Sequence, residues 1–289
     1  MQKAKFGILV LTISLFYAFK TDKLAYQIFD KNGKAVQYEK ILKASEEVDI
    51  VFFGEMHNNP VSHWLQFELT KDFYALKGKD LVLGAEMFET DNQIIIDEYF
   101  DGNIKTVNFE KELRLWPNYK TDYKPLLEFA KDSNLRFVAT NVPRRYASLV
   151  NSKGLIALDS LSAKAKEFIA KLPIKYDSTL SGYKNMLESI KDSPHVNVNT
   201  PKAQALKDAT MAQFILENWS DGKLFLHFNG AYHSDDFQGI VWYLLQAKPD
   251  LKILTITSIE QKEVKDLEED YKNKADFILV IPETMTKTY

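Results

Sequence analysis

Glu55 and His57 stand two residues apart in "VFFGEMHNNP", residues 51–60, where an apolar run ends on Gly54. A carboxylate beside an imidazole can share a proton in acid–base work or hold a metal ion. It can also be polar dressing on a helix N-terminus, where the dipole stabilises an exposed carboxylate by ~0.3–1 kcal/mol. What else the fold delivers to the same place decides between these. Three further apolar runs end on chemistry-bearing residues. "DLVLGAEMFE" gives Glu86 and then Glu89, "LRFVATNVPRR" gives Asn141, Arg144 and Arg145, and "KLFLHFNGAYHSDDFQGI" gives Asn229, Tyr232 and His233. Glu86 closes a run that should be buried, so it needs a cation, a donor or a proton; Arg144 or Arg145 could supply a structural salt bridge. His233 precedes Ser234, Asp235 and Asp236, any of which could cap the next helix. Taken as ligands, His57, Glu86 and His233 could hold a divalent transition metal with an open position, leaving Glu55 as general base on its bound water.

The segment "LRLWPNYKTDYKPLLEFA" adds Trp116, Tyr119 and Tyr123 around the breakers Pro117 and Asn118. Aromatic residues here either seal the core or wall a flat apolar cofactor, and a tyrosinate can ligate ferric iron in haem. His63, six residues past His57, reads as incidental to an amphipathic helix. His195, beside Pro194, and His227, inside an apolar run, read as structural.

The elements that must position these groups follow from hydrophobic period. Six runs, "DIVFFGE", "DLVLGAE", "LRFVATN", "KLFLHFNG", "LKILTITS" and "DFILVIPE", are continuously apolar, as strands covered on both faces are. Helical patterns lie between them, at His63–Leu76, Asn92–Phe100, Tyr123–Lys131, Ala203–Trp219 and Phe237–Ala247. The fold class is therefore α/β: a mostly parallel sheet flanked by helices, with right-handed crossovers. Residues 148–201 show helical segments and no strand, which predicts a smaller helical insertion subdomain. Alternating residues around Asn32-Gly33 predict a short hairpin, and Gly54 is expected to allow a tight turn. The tail beyond Pro282 reads as frayed. Ligands of open α/β sheets sit outside the carboxyl ends of the strands, so these loops should converge on one crevice. The late runs bring Ser258 and Glu260, and Glu283.

Composition narrows the class. A net charge of −3 gives no argument for nucleic acid as a partner. The chain has no cysteine, which excludes disulfides, thiolate ligands and a lipidated cysteine, so the protein is not expected to be a lipoprotein. Two lysines followed by the uncharged run Phe6–Phe19 read as a signal peptide or N-terminal anchor over residues 1–20, with one domain over 21–289. The expected location is exported, periplasmic or membrane-associated.

"GEMHNNP", "GAEMFE", "WPNYKTDYKPLLEFA", "ATNVPRR" and "NGAYHSDDFQGI", in that order and spacing, resemble the ChaN-like haem-binding family of the Tiki and erythromycin-esterase-like superfamily, over residues 45–260 or so. The resemblance implies an exported protein that binds haem through a tyrosine and a polar cluster, in haem or iron acquisition or storage. It also implies a homodimer holding haem between its subunits, and an outer-membrane receptor is a candidate partner. Tyr123 in "DYKP" fits the family's tyrosine best, then Tyr119, with His57, Arg144, Arg145, Tyr232 and His233 as further cofactor contacts. This chain departs from the family in lacking a cysteine to lipidate. It also carries "NGAYHSDD" where members commonly have Gly-Asn-Gly-His followed by arginine. The wider superfamily includes metal-dependent proteases with Gly-x-x-His, which Gly54 to His57 satisfies. A metal-dependent hydrolase of peptides or esters therefore stands as the alternative.

Overall fold

The computed structural model describes residues 23–188 and 197–289. The expected leader and His195 lie outside the described residues. All six apolar runs form strands: β3 (Ile50–Glu55), β4 (Leu81–Glu89), β5 (Arg136–Asn141), β6 (Leu224–Gly230), β7 (Ile253–Gln261) and β8 (Phe277–Pro282). The hairpin forms as β1 (Gln27–Asp30) and β2 (Ala35–Val36), turning through Gly33 at φ 84°. Together they make one sheet in the order β2-β1-β8-β7-β3-β6-β4-β5. From β5 across to β8 every pairing is parallel, and β1 joins β8 antiparallel.

Ten helices accompany the sheet among the described residues. They are α1 (Glu39–Ala44), α2 (Pro60–Lys77), α3 (Gln93–Phe100), α4 (Thr106–Glu112), α5 (Lys124–Asp132), α6 (Arg144–Lys153), α7 (Ala163–Lys166), α8 (Ser181–Glu188), α9 (Thr200–Asn218) and α10 (Ile240–Ala247). Strand side chains alternate between faces, and both faces are covered. Val51 and Phe53 pack with Leu65, Leu69 and Phe73 of α2 and Leu126 and Leu127 of α5. Ile50 and Phe52 pack with Met211 and Ile215 of α9 and Ile240 and Leu244 of α10. This double burial is why β3 reads as apolar at every position, each large side chain contributing ~1.5–3 kcal/mol. Between α6 and α9 the described chain holds only helical turns, built on Tyr146, Val150, Leu158, Ile169 and Leu206.

The chain reverses direction across the sheet at β3. It runs outward to β4 and β5, returns as β6 between β3 and β4, and then crosses to β7 and β8. A crevice opens outside the strand ends at such a reversal.

Two expectations are corrected. Gly54 is not in a turn but inside β3, where a Cβ would lie 2.9 Å from the Cα of Ala231 and 3.1 Å from the carbonyl oxygen of Ile256. Glycine is needed there because β3 and its neighbours approach too closely for a side chain. The tail past Pro282 is docked rather than frayed: Met285 packs on the core and the Thr288 amide donates to the carbonyl of Asn58 at 2.9 Å.

Gly54→Ala should therefore force backbone apart at the centre of the sheet and cost ~1–3 kcal/mol. Urea unfolding with an unchanged slope and a lowered midpoint is the expected result; an unmoved midpoint would show that the close approach costs nothing.

Candidate functional site

β3 ends on Glu55, and the following turn is closed by Asn59, whose side chain accepts from the amides of Val61 and Ser62 and so caps α2. The helix N-terminus thus has its own cap, and Glu55 is no helix-end decoration. It is buried, and its carboxylate is fully engaged. Oε1 accepts from the Tyr123 hydroxyl at 2.6 Å and pairs with Nδ1 of His57 at 2.8 Å, while Oε2 accepts from the Gln66 amide at 2.6 Å. The His63 ring lies 3.7 Å from Oε2. Both oxygens are therefore committed, and Glu55 acts in this structure to position Tyr123, His57 and Gln66.

Tyr123 reaches Glu55 because Tyr119–Tyr123 form a π-helical turn, which also buries Asn118 and Asp122. Asn118 donates to the carbonyl of His57 at 2.7 Å and to Asp122 at 2.6 Å. His63 bridges the His57 carbonyl at 3.0 Å and Asp122 at 3.4 Å. This shell fixes the backbone of His57, while Glu55 fixes its ring, which meets the edge of Trp116 at 4.8 Å between centroids. Burial alone would lower the His57 pKa, but the hydrogen bond to Glu55 and the charges of Glu86 and Glu55 raise it above the ordinary imidazole value.

The second cluster faces the first across Gly230. Glu86 accepts from the Gly230 amide at 2.8 Å and lies 3.2 Å from Nε2 of His233. Nδ1 of His233 meets Asp208 of α9 at 2.5 Å, and Asp208 accepts from the Tyr183 hydroxyl of α8 at 2.6 Å. His233 is 5% exposed, so it is a buried cation between two buried carboxylates and not a surface residue beside a cap. Burial would lower its pKa; the charges of Glu86 and Asp208 override that and hold it at about 9. Burial would raise the Glu86 pKa, but the His233 charge holds it well below the usual carboxylate range.

The clusters floor a cleft of about 1090 Å³, walled by Met56, Trp116, Val142, Met186, Tyr232 and Tyr289 among others. Of the sequence candidates, Glu55, His57, Glu86, Glu89, Trp116, Asn141, Arg144, Tyr232, His233, Ser258 and Glu260 line it. Tyr119, Tyr123 and Arg145 do not. Tyr123 is 2% exposed with its hydroxyl committed to Glu55, and burial pushes its pKa up, against tyrosinate formation. Tyr119 is buried against Phe88, its hydroxyl without a partner among the described residues. Neither can present a phenolate to an iron in the cleft. Arg145 pairs with Asp91 at 2.5 Å and stacks on Tyr146, so it is structural and does not serve Glu86. The expected metal set of His57, Glu86 and His233 is also not assembled. Among the described residues no three His, Asp or Glu side chains are grouped to hold a metal ion, and both His233 nitrogens already face carboxylates.

Sequence reasoning missed His63, Gln66, Asp208 and Tyr183. Asp208 carried little signal, since Lys207 beside it makes a solvated charge pair on α9 the simpler expectation. His227 is as expected, a satisfied core residue bonded to Thr140 and Asn229, its pKa lowered by burial to about 4.

The chain matches the family described as haem-binding uptake, Tiki superfamily, ChaN, over residues 41–244. It belongs to that family. ChaN of Campylobacter jejuni, solved with cofacially bound haem, superposes with a TM-score of 0.63 at 18% identity, covering 89% of this chain and 96% of that one. That likeness establishes the α/β fold. An erythromycin esterase mutant in its open conformation matches 90% of this chain and 83% of its own at 12% identity, with a TM-score of 0.43 that carries no argument. Protein RETICULATA-RELATED 5, chloroplastic, of Arabidopsis thaliana is 23% identical over 212 residues, 66% of this chain, and the chain spans 27% of that protein's length.

The His233 pair ties α9 to the sheet, and its sign with pH follows from the raised pKa. The contribution should be complete below the ordinary value of 6.5 and lost as pH rises through about 9. Urea midpoints of the wild type should fall across that window, and His233→Gln should flatten the decline. Parallel profiles for the two proteins would contradict the ion-pair assignment.

Proposed function

We propose that this protein binds haem in the cleft at the strand ends and serves haem or iron acquisition or storage after export. Family membership over residues 41–244 carries the reading. The residues of the cleft fit the group. Its volume suits a large flat ligand, just above the ~300–1,000 Å³ usual for small-molecule sites. Aromatic and methionine walls suit an apolar ring. Gly230 leaves room beside the second imidazole nitrogen: a Cβ there would lie 2.7 Å from Nε2 of His57. Asn141 also lines the cleft.

With Tyr123 and Tyr119 sealed in the wall, His57 is the side chain we assign to the iron. A ligating histidine ordinarily gives its other nitrogen to a carboxylate, which fixes tautomer and ring orientation, and the Nδ1–Glu55 pair does this. Haem, when bound, would supply an iron able to take a nitrogen ligand and two peripheral carboxylates. His57 can offer Nε2 only when that nitrogen is deprotonated, and Tyr123 and Gln66 hold Glu55 in place to orient the ring. Export is supported by the uncharged run Phe6–Phe19 after two lysines. A homodimer and an outer-membrane receptor remain part of this reading.

Haemin added to the purified protein should shift and sharpen the Soret band, and His57→Ala should change the axial-ligand spectrum. Binding should weaken as pH falls through the raised His57 pKa. Glu55→Gln should move that midpoint about one to two units lower, because a hydrogen bond to a charged group favours the imidazolium by ~1.5–3 kcal/mol. No spectral response to haemin would end the proposal, and an unaltered spectrum in His57→Ala would end the assignment of the ligand.

A further inference from the structure

The chain leaves the core abruptly at the end of β8. Phe277 to Ile281 are buried, and past Pro282 no side chain of residues 284–289 is. Thr284, Thr286 and Tyr289 are exposed, while Met285, Lys287 and Thr288 are half-buried. The Glu283 amide still donates to the carbonyl of Gln261 at 3.1 Å, extending the β7–β8 ladder by one step. From there the segment crosses the ends of the strands. Lys287 pairs with Glu260 of β7, and the Thr288 amide donates to the carbonyl of Asn58, in the turn after β3, at 2.9 Å. Asn58, Glu260 and Tyr289 all line the cleft, so residues 284–289 form part of its rim.

The anchor points are firm. Oε1 of Glu260, which takes Lys287, also accepts from the Asn59 side chain at 2.8 Å, and Asn59 caps α2. Asn58 follows His57, whose carbonyl is held by Asn118 and His63. The attachment to them is slight. Among the described residues it consists of one backbone hydrogen bond, one partly exposed ion pair and the packing of Met285 on the core, each individually weak. Thr288 works against the seated position. Its hydroxyl oxygen is buried with no hydrogen-bond partner among the described residues, so seating it costs solvation that no bond returns. Segments with so few buried contacts lie at the low end of local stability and open while the rest of a fold stays closed.

We propose that residues 284–289 are a strap across the rim of the cleft, released from Glu260 and Asn58 to let the ligand in and out and reseated behind it. This rests on the haem reading above for the identity of the ligand. A porphyrin is a large rigid plate, and a cleft that surrounds one must part a wall to admit it. The floor cannot part, because Glu55, Glu86 and His233 hold it together through buried charges. The strap can part without disturbing them. Its release leaves the Nδ1 bond of His57 to Glu55 intact, so the imidazole stays oriented while the cleft is open.

Stopped-flow mixing of the full chain with haemin gives the association rate, and transfer of haem to excess apomyoglobin gives the dissociation rate. Thr288→Pro removes the amide that donates to Asn58, and Lys287→Gln removes the ion pair. Each should raise both rates together by about two- to tenfold, the population change that losing one such contact brings, with affinity altered by less than about twofold. Deletion of residues 284–289 should give the largest increase. Lys164→Gln, which breaks the surface pair with Glu167 outside the cleft, should give none. Circular dichroism checks that each variant is folded, and if the shortened chain fails to fold the two single variants carry the comparison. Unchanged rates in the strap variants overturn the strap and leave haem binding intact. Faster dissociation with unchanged association also overturns it, since that is the behaviour of a fixed wall touching the ligand. No response of the wild type to haemin overturns both.

Discussion

Two carboxylates, Glu55 and Glu86, are driven into the protein interior at the ends of adjoining parts of one parallel sheet, and neither can stay charged there alone. Burying an unpaired carboxylate costs several kcal/mol or more, so the chain has to bring a donor set to each. Glu55 receives Tyr123, His57 and Gln66, and Glu86 receives His233 and the amide of Gly230. These partners come from the π-helical turn before α5, from α2 and its turn, and from the loop after β6. Satisfying the two charges thus fixes three loops relative to the sheet. The cleft is the space those loops enclose, and its shape follows from electrostatic necessity at its floor.

The helical elements between β5 and β6 enter the same account. Asp208 of α9 is a third buried carboxylate, and His233 pairs with both it and Glu86. One imidazolium shared by two acids joins α9 to the sheet, and Tyr183 extends the chain to α8. Such a bridge is a weak source of net stability, because desolvation offsets much of the attraction. Its value lies in register: moving α9 would strand Asp208 without a partner.

The sheet was legible because strands covered on both faces must be apolar throughout, and six runs of that kind admit few other folds. Convergence of Glu55, His57, Glu86 and His233 on one crevice was legible for the same reason, since parallel strands end on the same side. What stayed hidden depended on direction within an element. Tyr123 and Tyr119 lie in an irregular turn whose side-chain orientation no period reveals, so the sequence could rank them as iron ligands although both point into the wall. Arg144 and Arg145 are neighbours in a motif and differ entirely in surroundings, one facing the cleft and one held by Asp91. The tail was misjudged because polar composition says nothing of the contacts that dock it, the Glu283 and Thr288 amides on the carbonyls of Gln261 and Asn58 and Lys287 on Glu260. Gly54 signalled constraint correctly but for a different reason, close strand approach in place of a turn.

The distribution of charge around the cleft bears on what it can accept. The floor is anionic and already internally neutralised by histidines, tyrosine and amides, so it presents oriented groups and little net charge. The helical wall carries Arg144 and Lys207, for which no ion pair forms among the described residues. A small hydrated metal ion would seek the reverse arrangement, with uncommitted carboxylates clustered at one point, and these are already bonded. A ligand with an extended apolar body, one atom able to take a nitrogen, and acidic groups at its periphery meets the site on every side. Haem has those features together, and a peptide or ester substrate of a metal enzyme shares few of them. The groups on the floor are thus occupied in keeping one another in place.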